Sequence, residues 1–317
     1  MTLLTLIGKR LLLGIVILFV VSVLIFAGTE ILPGDVAQAI LGQGATPELL
    51  ENVRNRLGLD DPAPVRYLRW IGTLASGNLG TSMVSGADIA GLLSERLTNT
   101  ALLAGATALI AVPLAISLGL LCALRPNSLL DRAISSASLS LISLPDFLVA
   151  IVLVMIFSVK LGWLPAIANL KPDQSILEVA RQMVLPVTVL VFTVLAHMVR
   201  MTRTAVINVL GSPATEMAIL KGVPRARLLF IHALPNALAP IANVVVLNLA
   251  YLISGIVVVE TLFNFSGLGR LMVESVSTRD IPVVQICALI FCAVYVLLNL
   301  AADVVAILSN PRIRYPK

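Results

Sequence analysis

Charge is scarce in this chain: Asp, Glu, Lys and Arg make up only 12% of its 317 residues. A soluble domain carries about a quarter. Aromatic residues are also few, at 5%, and there are two histidines and three cysteines. Each shortage excludes something. Cys122, Cys287 and Cys292 lie inside apolar runs at no zinc or redox spacing, so they are read as small packing residues. His197 and His232 have no Cys, Ser or carboxylate nearby at triad or metal-ligand spacing, which leaves no catalytic centre and no metal site. The phosphate-binding pattern G-x-x-x-x-G-K-[ST] does not occur, so the chain has no nucleotide motor of its own. The net charge of +5 does not gather into a basic stripe with interleaved aromatics, which argues against nucleic-acid binding.

What the chain has instead is apolar length. Hydrophobic residues make up 58%, and the mean hydropathy is +1.01. They fall in runs of the about 20 residues that a helix needs to cross a bilayer core of roughly 30 Å. Six spans are expected, near 11–27, 98–124, 133–161, 183–199, 236–262 and 282–308. The first follows Lys9 and Arg10 and is longer than the apolar part of a signal peptide, so it reads as an uncleaved helix. Pro145 interrupts the third. The chain therefore divides into residues 1–32 (tail and first span), a subdomain at 33–96, and a transmembrane core at 97–317 that includes a polar loop at 200–235.

Residues 33–96 are polar and punctuated by Gly and Pro. Thr46 is expected to cap a helix with Pro47 in its first position, running to Arg56 and stopping at Gly58. A second short helix is expected over 65–75, then a turn at 77–80. With six spans, both termini share a face with the 125–132 and 200–232 loops. That face carries twelve Lys and Arg against two acids, Asp131 and Glu216. The two short loops opposite carry five basic residues. Both termini are thus expected in the cytoplasm, with the 33–96 subdomain outside it.

The 200–235 segment is too long and too ordered for a simple connector. Ser212 suits a helix cap, with Pro213 at the first position and Glu216 early in the helix. Gly222 suits a left-handed stop, Pro224 a second start, and Pro235 the boundary with the next span. Two short helices joined by a glycine elbow are the expectation. Inside the membrane, Asp146 stands just after Pro145, where an acid is costly and needs either a partner helix or a water-filled pathway. Both readings stay open. Asp303 shares a helix face with Asn299 and reads as a structural hydrogen-bonding residue.

The run Glu216-Met217-Ala218-Ile219-Leu220-Lys221-Gly222, with Leu234-Pro235 in register, resembles the "EAA" loop of bacterial ABC-type import permeases. Met217 and His232 depart from that pattern, standing where the family has alanine and isoleucine. Leu57-Gly58-Leu59-Asp60, Gly77-Asn78-Leu79-Gly80, Gly162-Trp163-Leu164-Pro165, Gly267-Leu268-Gly269, Arg279-Asp280-Ile281-Pro282 and Asn310-Pro311-Arg312-Ile313-Arg314 resemble the dipeptide and oligopeptide branch. The resemblance implies an all-α integral membrane protein of type I importer architecture, in the bacterial inner membrane. Glu216, Ala218, Gly222, Leu234 and Pro235 would mark a cytoplasmic coupling helix, with Arg225 and Arg227 at its rim. Implied partners are a second homologous permease subunit, two cytoplasmic ABC ATPase subunits, an extracytoplasmic solute-binding protein and the surrounding lipids. No cofactor is expected on this chain; ATP-Mg is used by the ATPases, so the chain itself is not an enzyme. The competing function is a secondary transporter or channel without an ATPase, which leaves the elbow unexplained.

Overall fold

Helices account for nearly all regular structure in the computed structural model. It describes residues 3–31, 45–58, 60–171, 173–224, 227–228, 231 and 234–309, and among these no strand forms. Five helices are long and apolar enough to cross a membrane, and a bent pair makes a sixth candidate. They are α1 (Leu3–Ile31), α4 (Ile89–Leu124), α7 (Ile176–Leu210), α9 (Leu234–Leu262) and α11 (Ile281–Ser309). The pair is α5 (Leu129–Ile142) and α6 (Asp146–Leu153), the latter running on as a π-helical stretch over Val154–Lys160.

That pair corrects one expectation. The apolar run 133–161 is not one kinked helix: its two halves are bent by 102° at the break before Asp146. Pro145 has no N–H to continue the first helix and excludes the preceding residue from helical geometry, so Ile142 ends one helix and Asp146 opens another. Other helices are longer than their apolar runs. α4 begins at Ile89 rather than near Thr98, because Ile89 and Leu93 give its polar opening a buried side. α7 runs to Leu210, so the first residues of the expected 200–235 loop are still helix. Helix α10 (Leu268–Thr278) occupies most of the expected loop before α11.

Two compact units divide the chain: residues 13–100 with 266–294, and residues 1–12 with 101–265 and 295–317. In the first, α2 (Pro47–Leu57) begins at Thr46, whose hydroxyl accepts from the Leu49 amide. It stops at Gly58, where φ is 61°, a left-handed turn that lets the Gly58 N–H reach the carbonyls of Arg54 and Asn55. Helix α3 (Ala63–Ala75) sets Tyr67 and Trp70 against Phe26 of α1, with ring centroids 5.4 and 6.2 Å away. Asp280 explains the Arg279-Asp280 motif. Its carboxylate accepts from the Ser82 hydroxyl and, at 3.0 Å, from the Met83 amide, pinning the 81–88 turn to the start of α11.

The second unit is built around α7. A capping box starts that helix: Ser175 Oγ accepts from the Glu178 amide at 3.3 Å, and Glu178 accepts from the Ser175 amide at 3.0 Å. Leu185, Val189, Leu190, Val194 and Met198 of α7 then pack with Leu252, Ile256 and Val259 of α9. Gly119 of α4 approaches α7 so closely that a Cβ there would lie 2.8 Å from the Thr202 side chain. The Gly162-Trp163 motif closes the turn after the π-helical stretch. The Trp163 amide bonds to the Phe157 carbonyl at 2.9 Å, and Arg181 donates to the Trp163 carbonyl at 2.8 Å.

Candidate functional site

The elbow after α7 is short and well defined. The Gly211 amide bonds to the Ile207 carbonyl at 3.0 Å to close α7, and α8 (Pro213–Leu220) follows at once. Pro213 occupies its first position. Ser212 is tied into this start through its neighbour Thr215: their hydroxyls lie 3.0 Å apart, and Thr215 Oγ1 donates to the Val209 carbonyl at 3.0 Å. Thr215 and Ala218, three residues apart, are buried, whereas Met217 and Leu220 are 57% and 81% exposed. This helix of about two turns therefore holds on to its own chain by one side and offers two apolar side chains on the other.

Gly222 ends the helix with φ at 76°, in the left-handed region where any other side chain would be strained. The Lys221 and Val223 amides reach back to the Met217 and Ala218 carbonyls, both at 3.2 Å. The chain resumes helical bonding at Pro224, whose carbonyl accepts from the buried Leu228 at 2.9 Å. Leu234 opens α9 with Pro235 as its second residue. Glu216 takes the fourth position of α8; its side chain, Arg225, His232, Leu59 and the tail from Asn310 lie outside the described residues. Beneath the elbow, Ala123, Val206, Ala237 and Ile241 form one apolar cluster that joins the ends of α4, α7 and α9.

Two carboxylates bind side chains of α7. Asp131, buried at the start of α5, accepts from the Nε and Nη2 of Arg203 on α7, at 2.6 and 2.7 Å. The same carboxylate takes the Asn127 amide at 2.8 Å, holding that residue in its left-handed conformation. A bidentate pair of this kind is among the strongest polar links a protein makes. The second is Asp146, which is not mid-helix but the first residue of α6. Its Oδ1 accepts from the Thr193 hydroxyl of α7 at 2.8 Å. A hydrogen-bonding partner on a neighbouring helix is thus in place for this carboxylate. Asp303 pairs with Arg10 at 3.0 Å, while Asn299 donates to its own helix at Tyr295.

Comparison with known proteins meets this geometry on common ground. Residues 115–315 match the family described as the binding-protein-dependent transport system inner membrane component, and residues 3–104 match its N-terminal membrane part. The chain belongs to that family. Among relatives, the glutathione transport system permease protein GsiC of Escherichia coli K12 is 37% identical over 307 residues, covering 97% of this chain and 98% of its own. "Probable peptide ABC transporter permease protein y4tP" of Sinorhizobium fredii is 35% identical over 307 residues, with the same coverage. A permease of this family is a multi-pass inner-membrane protein, in keeping with the spans described above.

Proposed function

We propose that this permease is driven by ABC ATPase subunits docking on α8, and that it forms its pathway with a second, related permease subunit. The cargo is a peptide or similar solute handed over by an extracytoplasmic binding protein. The exposed apolar pair Met217 and Leu220 on a helix anchored beside the long span α7 carries this reading. An apolar surface on a short cytoplasmic helix is what a groove on a soluble partner would cover. The family description supports the binding protein, and the names of the two relatives support the peptide-like cargo. Both termini and the elbow are assigned to the cytoplasm, and the 33–96 subdomain to the outer face, on the distribution of Lys and Arg. Within this reading Glu216, Ala218, Gly222, Leu234 and Pro235 mark the coupling element, and ATP-Mg belongs to the partners.

Purification of the tagged chain in mild detergent tests the reading. The wild type is expected to retain an ATPase with a phosphate-binding loop, and a Gly222→Pro, Glu216→Lys variant to lose it. Proline cannot adopt the positive φ that Gly222 has. A wild type that retains no ATPase yet carries solute alone in liposomes would make it a secondary transporter.

Asp146 is assigned to the pathway as a carboxylate that attracts cationic groups of the cargo. Asp146→Asn preserves an acceptor for Thr193, so the melting temperature in detergent should reflect a loss of no more than about 1 kcal/mol. Uptake of a lysine-containing dipeptide is expected to fall while uptake of a neutral one holds. Equal uptake of both by variant and wild type removes Asp146 from the pathway.

A further inference from the structure

The middle of α7 is largely buried by its own chain, and the stripe that its C-terminal half leaves open is mainly polar. His197, Arg200, Met201, Thr204 and Asn208 are exposed, while Met198, Val199, Thr202 and Val206 between them are buried. The exposed positions recur at the helical period and form one stripe. A lipid-facing helix shows the opposite, as α1 does with Leu12, Ile15, Phe19 and Leu24 exposed. Placing an arginine in hydrocarbon costs about 2.5–3.5 kcal/mol on insertion scales, so such a stripe belongs to water or to a polar occupant.

The stripe is also concave. With Ala205 and with Pro240 and Val244 of α9 it lines a groove of about 440 Å³. Small-molecule sites typically run to about 300–1,000 Å³. Among the described residues no carboxylate lines this groove, and the Arg200 guanidinium has no ion-pair partner. Thr204 spends its hydroxyl proton on the Arg200 carbonyl at 2.9 Å. Arg200 contributes N–H donors only, and Asn208 adds a side-chain amide. The floor of Pro240 and Val244 is apolar. An occupant that satisfies these walls brings an anionic, planar acceptor on an otherwise neutral body.

We infer that this groove receives the carboxylate of the cargo during passage, with Arg200 as its bidentate partner and His197 and Asn208 flanking it. The inference rests on the permease reading above and deepens it: the cargo class is narrowed to solutes with a free carboxylate. An arginine fork matches a carboxylate in two parallel hydrogen bonds, which a lysine does not reproduce.

The test uses the whole transporter, with its ATPase and binding protein, in proteoliposomes. The probes are trialanine, glutathione and the C-terminal amide of trialanine. The wild type is expected to move at least one free acid with ATP, and trialanine about tenfold faster than its amide. Arg200→Gln is expected to bring that ratio to about one by slowing the acid, and Arg200→Lys to recover part of it. Because Arg200 is exposed, the variant should fold; retention of the ATPase on purification checks this. A variant that slows acid and amide equally, as loss of a lipid or subunit contact would, overturns the inference and leaves the permease reading intact. So does an acid-to-amide ratio unchanged by Arg200→Gln, or a wild type that moves the amide as fast as the acid. A wild type that moves none of the three with ATP overturns the peptide-cargo reading, and the inference with it.

Discussion

Leu220→Glu is expected to abolish ATP-driven uptake while leaving the permease folded. Leu220 is 81% exposed at the end of α8 and touches little of its own chain, so the substitution should change stability by no more than about 0.5 kcal/mol. In the assembled transporter the same side chain would enter an apolar groove on the ATPase. A carboxylate placed there without a partner costs several kcal/mol, and a well-packed anchor residue at an interface is worth about 2 kcal/mol or more. Two kcal/mol is already roughly a thirtyfold loss of affinity. Retention of the ATPase by the tagged permease, and ATPase stimulation by the loaded binding protein, are the measurements. Met217→Glu should behave alike but more mildly, since Met217 is 57% exposed and so offers less surface to a partner. Normal coupled uptake by Leu220→Glu would move the docking surface elsewhere on the chain.

Asp131→Ala has the larger expected effect on the fold itself. It strips Arg203 of both of its charged hydrogen bonds and leaves the Asn127 amide without its acceptor. Breaking a buried ion pair from one side costs about 3–5 kcal/mol. Arg203 keeps 26% of its side chain exposed, which places the loss near the lower end, about 3 kcal/mol. The melting temperature in detergent should drop by at least about 5 °C. Arg203→Lys should lose less, because the charge survives while the two-pronged geometry does not. The double replacement Asp131→Leu, Arg203→Leu should recover part of the stability, since no charge is then left buried alone. A melting temperature unmoved by Asp131→Ala would mean that α5 is held to α7 by apolar packing alone.

These two predictions sit on opposite sides of what could be read beforehand. The elbow was legible because its signals are local: a proline at a first position, a glycine at a stop, a proline at a restart. Thr46, Pro47 and Gly58 were legible for the same reason. The six apolar runs were legible because lipid imposes a length on them. The Asp131–Arg203 pair was not, because it joins residues 72 apart and neither flanking segment carries a pattern that names the other. The bend before Asp146 was half legible. Pro145 announces a break, but nothing in the run 133–161 tells a shallow kink from a turn of 102°. The early start of α4 was hidden by Ser94, Glu95, Arg96, Thr98 and Asn99, whose helix shows its purpose only once Ile89 and Leu93 are seen buried. The stripe on α7 was hidden for the converse reason. All its polar positions but His197 were assigned to a loop, and a loop has no face.

The unbroken length of α7 has a mechanical meaning. Its 35 residues make a rod about 52 Å long, against a hydrocarbon layer of roughly 30 Å. The elbow is fixed to one end of that rod, and Pro186 stands within its opposite half, buried in the packed core. A sideways displacement of α8 by about 5 Å corresponds to a tilt of only roughly 6° over that length. Such a tilt asks little of the side chains nearest Pro186 and most of those nearest the elbow. The travel of such a tilting helix would grow toward the elbow, and the groove of Arg200 lies along that half.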